Sequence, residues 1–267
     1  MTQQNKNHMI PTACKIISVV KETDIEWTFR VESPFKANHG QFMQLSVPKI
    51  GEAPISISEI GDGYMDFTLR AVGKVTNEIF EKQEGDFLFL RGPYGNGWPV
   101  EELKDKHLVF ITGGTGLAPV RSLLNEFYNN ISSVKSVTLI SGFKNKESIL
   151  FKDELKKWQN KFKTFYTLDN ESIEGWNSGL VTNFVKEIDF NSFDDNYAAI
   201  VVGPPIMMKF AGLELKKYNI PDEKIWMSFE RKMSCAIGKC GHCRIDETYI
   251  CLDGPVFPYT VAKNLVD

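Results

Sequence analysis

The chain has 267 residues, of which 42% are hydrophobic and 24% are charged, and its formal net charge is −3. The apolar fraction is too high for a disordered protein, and the slight acidity argues against a dedicated nucleic-acid-binding protein. No run approaches about 18 apolar residues, so no membrane span is expected. The length allows about two domains. Residues 1–10 are polar and lack the apolar segment of a secretory signal, which predicts a cytoplasmic protein.

The first third of the chain predicts a β domain. Short apolar runs at β spacing are separated by turn residues such as Gly51, Gly61 and Gly85. Six strands without long helices favour an antiparallel barrel over residues 11–100. One short helix is predicted at 76–82, with Thr76 as its N-cap. The predicted strands are 14–20, 25–31, 42–47, 55–59, 64–71 and 87–92.

From about residue 106 the pattern changes to alternating strand and helix signals. The near-continuous apolar run at 107–112 is typical of a strand buried on both faces of a parallel sheet. The alternation predicts a doubly wound, parallel-sheet nucleotide-binding domain over residues 101–229. Its further predicted strands are 136–141, 163–168, 198–202 and 224–228, and its predicted helices are 120–128, 151–159, 180–185 and 205–218. Residues 230–267 are too few for a core of their own, so a metal cluster is expected to organise them.

Four of the five cysteines are clustered near the C-terminus with the spacing C-x4-C-x2-C-x7-C. The predicted metal ligands are Cys235, Cys240, Cys243 and Cys251. The first three have the spacing of plant-type ferredoxins, which favours a [2Fe–2S] cluster, and Gly238 and Gly241 suit backbone that curls around sulfides. Structural zinc is the alternative, although zinc sites usually have two C-x2-C pairs. We expect His242 to face solvent and Cys14 to be a small core residue.

Two loops follow predicted strands and open predicted helices. The candidate nucleotide-binding residues in them are Gly113, Gly114, Thr115, Gly116 and Pro119 of the first loop, and Gly203, Pro204, Pro205 and Met207 of the second. Glycines at such positions let the backbone approach a pyrophosphate, whose charge a helix N-terminus favours. Both loops are expected at the carboxyl ends of strands, where open sheets bind ligands. A purely structural turn is the alternative for the first loop.

Two barrel segments carry further candidate contacts, GEAPISIS at 51–58 and LRAVGKVTNEIF at 69–80. Ser56 offers a hydroxyl to a flavin ring nitrogen and is the candidate catalytic residue. The fixed charge of Arg70 suits a phosphate, and residues 73–76 offer a second phosphate-binding turn. The alternative is that Arg70 is a solvated strand residue and Ser56 an ordinary strand serine.

Taken together, these segments resemble the ferredoxin–NAD(P) reductase superfamily. The resemblance is carried, along nearly the whole chain, by GEAPISIS, VGKVT, RGPYGNGWPV, GGTGLAPV, VVGPPIMM, FERKMSCAIGKCGHCRI and YICLDGPVF. Within the superfamily the chain resembles the branch with a C-terminal [2Fe–2S] cluster, which includes subunits of dihydroorotate dehydrogenase, hydrogenases and anaerobic sulfite reductase. It is most similar there to the B-subunit type of anaerobic sulfite reductase.

The resemblance implies sites for FAD, for NAD(H) and for a [2Fe–2S] cluster. The nucleotide would bind at the two loops, and the cluster at the four cysteines. The FAD residues that it implies are Ala53, Pro54, Ile55, Ser56, Leu69, Arg70, Ala71, Gly73, Lys74, Val75 and Thr76. Two positions depart from the superfamily pattern. Ala53 stands where many members have an arginine at the flavin pyrophosphate, and Val202 stands where many have a cysteine near the nicotinamide.

The implied function is that of an electron-transfer subunit. NADH would deliver a hydride to FAD, and single electrons would pass through the [2Fe–2S] cluster to a partner. The expected partners are iron–sulfur and sirohaem-bearing subunits of an anaerobic sulfite reductase, because this chain has no sirohaem motif. The same relay serving a hydrogenase or dihydroorotate dehydrogenase is the alternative, and a zinc-stapled binding module without redox function is the alternative from another class. NADH is preferred over NADPH, since Lys144 and Lys146, where a 2′-phosphate would sit, are interpreted as solvated lysines.

Overall fold

The structure, a computed structural model, describes residues 9–265. Its first six strands are β1 (Thr12–Lys21), β2 (Glu26–Glu32), β3 (Phe42–Val47), β4 (Gly51–Gly61), β5 (Tyr64–Arg70) and β6 (Phe87–Tyr94). They close into a barrel in the order β1-β2-β5-β4-β3-β6, and every neighbouring pair is antiparallel. Phe29, Met43 and Phe67 are fully buried in the barrel interior. The six-stranded antiparallel barrel predicted from the sequence is confirmed.

The short helix of the barrel begins two residues earlier than predicted. Helix α1 spans Lys74–Phe80, Gly73 is its N-cap, and Thr76 lies in its first turn. The Thr76 hydroxyl accepts hydrogen bonds from the N–H groups of Val72 (3.1 Å) and Gly73 (3.0 Å). The prediction of Thr76 as the N-cap is therefore wrong, because its side chain reaches back to the N-cap backbone as a third helical residue can.

The second half of the chain forms a mostly parallel sheet. Its helices are α2 (Val100–Leu103), α3 (Ala118–Asn129), α4 (Lys152–Trp158), α5 (Pro205–Lys217), α6 (Ile250–Asp253) and α7 (Tyr259–Ala262). Its strands are β7 (His107–Gly113), β8 (Ser136–Phe143), β9 (Lys163–Leu168), β10 (Asn177–Ser178), β11 (Tyr197–Val202), β12 (Ile225–Ser228) and, after the two-stranded β13 (Arg244–Ile245) and β14 (Thr248–Tyr249), β15 (Val256–Pro258). The sheet order is β10-β9-β8-β7-β11-β12-β15, so the order reverses between β7 and β11. This reversal is the point at which open α/β sheets bind ligands, and the doubly wound domain is confirmed.

One helix predicted in this domain takes another form. Residues Val181–Glu187 form a 3-10 helix, whereas the sequence predicts an α-helix at 180–185. Val181 and Val185 are buried, and β-branched residues have restricted side-chain rotamers that lower helix propensity.

The C-terminal segment is attached to the sheet. Strand β15 pairs antiparallel with β12, with Phe257 opposite Met227. Met233 and Ile250 belong to the same buried apolar cluster as Met227. A metal cluster is thus not the sole organiser of residues 230–265, because apolar packing on the α/β domain also holds them.

Two expectations concern residues that the structure does not describe. Residues 1–8, which contain most of the stretch predicted not to be a secretory signal, lie outside the described residues, as do residues 266–267 at the end of the predicted cluster lobe. Within residues 9–265, no helix has the length and apolar character needed to cross a membrane.

A group of buried and half-buried charged side chains joins the barrel to the α/β domain. Arg121 of α3 is 9% exposed and donates to Asp66 of β5 (3.0 Å) and to Glu154 of α4 (2.7 Å). Arg30 of β2 donates to both oxygens of the same Asp66 carboxylate, at 2.7 and 3.0 Å. Glu59 of β4 completes the group by accepting a hydrogen bond from α3. We call these five residues the interdomain charge cluster.

The interdomain charge cluster has two guanidinium groups and three carboxylates, so one carboxylate is in excess. Burial raises the pKa of Glu59, and the hydrogen bond from Asn125 offsets this effect only in part. At pH values between the ordinary carboxyl pKa and the raised pKa of Glu59 in the folded state, the folded protein therefore binds more protons than the unfolded chain. The free energy of unfolding decreases as the pH rises through this interval, and the decrease ends above the folded-state pKa of Glu59.

We expect Glu59→Gln to stabilise the protein at alkaline pH, because the amide keeps an acceptor for Asn125 but removes the excess charge. Urea denaturation at about pH 5 and about pH 8 measures the effect, and the gain should be larger at pH 8. An equal gain at both pH values would contradict the role of ionisation.

Candidate functional site

A cleft of about 400 Å³ lies where the barrel, the α/β domain and the segment after β12 meet. This volume is within the range of small-molecule and cofactor sites. The predicted site residues that line it are Ala53, Pro54, Ile55, Ser56, Leu69, Arg70, Thr76, Thr115 and Pro119. The structure thus brings two predicted sites to one cavity. They are the flavin strand, by which we mean residues 53–56 of β4, and the first glycine loop, residues 113–119.

Other predicted site residues lie outside the wall of this cleft. They are Ala71, Gly73, Lys74 and Val75 at the start of α1, and Gly113, Gly114, Gly116, Gly203, Pro204, Pro205 and Met207 at the β7–β11 switch point. Those at 71–75 and at 113–116 are next in sequence to Thr76 and Thr115, which line the cleft.

Ser56 is half-buried on β4 and faces the cleft. Within residues 9–265 its hydroxyl makes no hydrogen bond, so it is available to a ligand. A hydroxyl in an otherwise apolar wall of alanine, proline and isoleucine is suited to orient the polar edge of a flat ring.

Arg70 reaches the cleft from the end of β5, but its charge is already paired. Its Nε donates to the carboxylate of Glu26 at 2.6 Å, and Glu26 is only 2% exposed. Arg70 is therefore neither a free phosphate ligand nor a simply solvated strand residue. Its remaining N–H groups are held in place by the ion pair and can serve an anion in the cleft.

The segment 229–233, directly after β12, is not among the predicted site residues, yet it lines the cleft. Burial among protein atoms raises the pKa of Glu230, although its side chain still reaches solvent in the open cleft. The signal that could have identified the segment is a charged triplet, Glu230 to Lys232, at the carboxyl end of a parallel strand. Met233 also lines the cleft and lies two residues before the first cluster cysteine.

Close packing explains two glycines of the first loop. A Cβ on Gly116 would lie 2.4 Å from the Val202 carbonyl oxygen, and a Cβ on Gly113 would lie 2.4 Å from Met207 Sδ. By contrast, Gly114 has φ +53° and would meet nothing within 4 Å. The structural-turn interpretation accounts for the first two glycines, whereas Gly114 leaves the backbone open to a ligand.

Alanine at two of these glycines separates packing from ligand approach. We expect Gly116→Ala to destabilise the protein by about 1–3 kcal/mol, because its Cβ must push the two loops apart. Gly114→Ala should cost about 1–2 kcal/mol through its left-handed backbone and should weaken NADH binding more, because its Cβ enters the open space. Urea denaturation and the KM for NADH measure the two effects. If Gly116→Ala and Gly114→Ala lose the same stability and have the same KM for NADH, the loop does not contact the nucleotide.

The backbone of residues 235–240 turns its N–H groups towards a cysteine sulfur. Cys235 Sγ accepts hydrogen bonds from Ile237 (3.5 Å), Lys239 (3.4 Å) and Cys240 (3.4 Å). Burial opposes ionisation of Cys235, but these donors outweigh it and lower the pKa of the thiol to about 6. The thiolate is the form that binds iron, so the loop is prepared for a metal–sulfur group.

The glycines of this loop have the backbone conformation that the curl requires. Gly238 and Gly241 have φ +71° and +74°, and the Gly238 N–H donates to Cys251 Sγ at 3.2 Å. Left-handed backbone is readily adopted by glycine, so the two positions suit the predicted wrapping of sulfur by amides.

The four clustered thiols form two neighbouring pairs. The Cys240 N–H donates to Cys235 Sγ at 3.4 Å, and the Cys251 N–H donates to Cys243 Sγ at 3.5 Å. Within residues 9–265, no three Cys, His, Asp or Glu side chains converge on the position of one metal ion. An arrangement in two pairs suits a [2Fe–2S] cluster, in which two cysteine thiolates bind each iron.

The remaining sulfur and imidazole candidates lie where the sequence predicts. His242 is exposed to solvent. Cys14 is 3% exposed in the barrel core, and burial raises the pKa of its thiol to about 11. Neither side chain takes part in the two thiol pairs.

Comparison with known proteins identifies two domains in this chain. Residues 110–212 match the oxidoreductase NAD-binding domain, and residues 230–261 match the iron–sulfur cluster binding domain of dihydroorotate dehydrogenase B. The chain is 34% identical over 263 residues to the sulfhydrogenase 1 subunit gamma of Pyrococcus furiosus, which covers 92% of this chain and 89% of that protein. It is 32% identical over 249 residues to a probable dihydroorotate dehydrogenase B (NAD(+)) electron transfer subunit of Methanocaldococcus jannaschii, again with 92% and 89% coverage.

Solved structures share the fold. The structure of an NADH-dependent reduced ferredoxin-NADP oxidoreductase, described in connection with flavin-based electron bifurcation, has a TM-score of 0.77 at 25% identity and covers 92% of this chain and 88% of its own. A ferredoxin NADP+ reductase from Neisseria gonorrhoeae with bound FAD and NADP has a TM-score of 0.69 at 20% identity and covers 81% of this chain and 97% of its own.

These comparisons agree with the cofactors expected from the sequence. FAD, NAD(H) and an iron–sulfur cluster are confirmed at the level of the family. The relatives named above are subunits of hydrogenase and dihydroorotate dehydrogenase complexes, so the coarser part of the resemblance is confirmed and the sulfite reductase type is not. The chain belongs to the family of ferredoxin–NADP reductase-like electron-transfer subunits that carry the iron–sulfur cluster binding domain of dihydroorotate dehydrogenase B.

Proposed function

We propose that this chain takes electrons from NADH and passes them through FAD and a [2Fe–2S] cluster to a catalytic partner subunit. The observation that carries the proposal is the shared cleft. Ser56 of the flavin strand, Thr115 of the nucleotide loop and Met233 of the segment leading to the cluster all line it. A relay needs its donor, carrier and acceptor in adjacent positions, and these elements meet at one cavity.

The residues of the chain have distinct tasks in this relay. The bound cofactors supply hydride and one-electron chemistry, while the protein supplies position and electrostatics. Ser56 would donate a hydrogen bond from its free hydroxyl to the flavin, and Arg70, fixed by Glu26, would bind an anionic part of the same cofactor. Phe229 and Phe42 add apolar walls that exclude water from the meeting point.

Glu230 is the acid in the cleft. Because burial raises the pKa of its carboxyl, Glu230 holds a proton closer to neutral pH than an ordinary glutamate does. A ligand that fills the cleft would remove the Glu230 side chain further from solvent and favour its protonated form, which avoids an unpaired negative charge beside the flavin.

The exit from the relay lies at Cys240. Cys243 and Cys251 are each 2% exposed, whereas Cys240, Gly241 and His242 are exposed to solvent. The edge of the cluster nearest Cys240 is therefore the one that a partner subunit can approach most closely.

A hydrogenase or a dihydroorotate dehydrogenase is the favoured class of partner. The sulfhydrogenase and dihydroorotate dehydrogenase relatives, each similar over 92% of the chain, support this assignment. An anaerobic sulfite reductase is the second candidate and is supported by the motif resemblance. Purification of the native complex distinguishes them, because a nickel or di-iron centre, an FMN-containing subunit or a sirohaem subunit would co-elute.

NADH is the proposed donor in preference to NADPH. Lys144 and Lys146 are exposed, and the backbone N–H of Lys146 donates to the Glu171 carboxylate at 2.9 Å. The Glu171 carboxylate thus occupies a backbone donor that a 2′-phosphate could otherwise use, which disfavours the additional phosphate of NADPH.

The cofactor spectrum tests the proposal. Anaerobically purified protein should show a flavin band near ~450 nm with broad iron–sulfur shoulders, and NADH should bleach it. Iron and zinc are measured in the same sample. A colourless protein with one zinc per chain would exclude the relay and favour the binding-module alternative.

A further inference from the structure

Arg91 of β6 lies between the barrel and the cluster loop, and its guanidinium is almost completely buried, with 3% of the residue exposed. Its Nε and one Nη2 hydrogen go to the Glu52 carboxylate, at 2.9 and 2.5 Å. One Nη1 hydrogen goes to the Tyr94 hydroxyl at 3.0 Å. The second Nη2 hydrogen is donated to the backbone carbonyl oxygen of Ser234 (2.6 Å), and the second Nη1 hydrogen to that of Cys235 (2.8 Å). All five guanidinium donors are therefore used.

These acceptors belong to the two ends of the relay. Glu52 is on β4, immediately before the flavin strand residue Ala53, and Cys235 is the first predicted ligand of the cluster. We propose that Arg91 is a positioning residue that ties the cluster loop to the flavin strand and so sets their separation. This inference rests on the proposed relay and assigns a role to a residue outside the cofactor sites.

The contacts of Arg91 point to a geometric role. Burial alone would raise the pKa of Glu52, but hydrogen bonds from Arg91 and Ser46 lower it, so the carboxylate is ionised. The ion pair cancels the charge of Arg91 to first order beside the cluster. What remains is a rigid planar fork that holds two carbonyl groups at fixed positions.

Lysine cannot reproduce this arrangement. Its ammonium has three donors on a flexible stem, whereas Arg91 serves Glu52, Tyr94 and both carbonyls at once. Arg91→Lys keeps the charge next to Glu52 and gives up part of the fork. This variant therefore separates position from charge.

Arg30→Lys is the matched control. Arg30 is also a barrel arginine with a two-point ion pair to a carboxylate, that of Asp66, but its contacts are with the interdomain charge cluster. A general loss of barrel stability affects both variants. A change in the position of the iron–sulfur cluster loop affects Arg91→Lys alone.

The experiment uses the full chain with its cofactors. In Arg91→Lys, flavin content and flavin reduction by NADH should stay within about twofold of the unmodified protein, because Ser56 and Arg70 are untouched. Release of iron to a chelator should be at least about tenfold faster, the equivalent of one lost charge-assisted hydrogen bond. Freeze-quench EPR should show slower reduction of the cluster after NADH is added and an altered line shape. Arg30→Lys should leave iron release and the EPR signal unchanged.

Two results would overturn the inference. The first is that Arg91→Lys matches the unmodified protein in its rate of iron release, its EPR line shape and its rate of cluster reduction. The other is an equal change in Arg30→Lys. If the lysine variant does not fold, Glu52→Gln keeps the bonds from Arg91 to the carbonyl groups and weakens the link to β4, although it also removes the charge that offsets Arg91. It should slow cluster reduction while iron content stays normal, and unchanged cluster reduction would again contradict the role. Absence of flavin or cluster from the unmodified protein would refute the proposed function instead.

Discussion

Replacement of Cys240 by serine is expected to lower NADH-driven electron delivery to the partner subunit by roughly 100-fold or more, since even changes to outer-shell groups cost metal sites 10–100-fold. Cys240 is paired with Cys235 and is the exposed member of the four predicted ligands. Its side chain does not line the flavin cleft, so NADH should still bleach the flavin. Iron analysis, the flavin spectrum and reduction of the partner measure the three effects separately.

Cys14→Ala is the matched control for this prediction. Cys14 is a buried barrel residue far from the thiol pairs in sequence, and its loss should leave iron content and electron delivery intact. Unchanged delivery in Cys240→Ser, with the cluster absent, would show that electrons leave the flavin by another route. Retention of a normal cluster would show that Cys240 is not a ligand.

The second large effect is expected from Asp66→Asn in the interdomain charge cluster. Asp66 is 1% exposed and accepts hydrogen bonds from both Arg30 and Arg121. The substitution leaves the half-buried guanidinium of Arg30 without its carboxylate and leaves the buried guanidinium of Arg121 with Glu154 alone. Removing one partner of a buried ion pair costs up to about 3–5 kcal/mol. Urea denaturation should show this loss.

The same substitution should slow flavin reduction by NADH. Arg121 is on α3, and Ala118 and Pro119 at the start of this helix line the cleft, so loss of its anchor on the barrel shifts one wall of the site. Glu101→Gln removes an exposed ion pair with Lys104 and should cost less than about 1 kcal/mol. Similar losses in Asp66→Asn and Glu101→Gln would contradict a structural role for the buried cluster.

Local patterns predict much of the fold. The barrel strands and the alternating elements of the second domain appear near their predicted positions, because hydrophobic periodicity and glycine-rich turns are local properties of the chain. Errors occur where short elements depend on context. Thr76 lies in the first turn of α1, where its hydroxyl accepts hydrogen bonds from the backbone that precedes the helix, and residues 181–187 form a 3-10 helix. Strand β15 escapes prediction because three residues carry no clear periodic signal.

The candidate site is predictable to a different extent in each of its parts. The four cysteines and the two loops have characteristic spacings, so residue type and spacing are enough to identify them. Segment 229–233 has no such spacing, and it is part of the cleft only because β12 ends beside the barrel. The reason for Gly113 and Gly116 also differs from the expected one, since contact between two loops, rather than approach of a ligand, requires glycine there.

Residue type and spacing along one stretch of chain are sufficient to predict the classes of element, the candidate cluster ligands and the family. How the parts are joined depends instead on contacts between distant stretches. The ion pair of Arg70 with Glu26 spans 44 positions, and the bonds from Arg91 to Ser234 and Cys235 span 143 and 144. Buried charges require partners wherever the fold supplies them, and no periodic signal in the sequence indicates which distant groups those are.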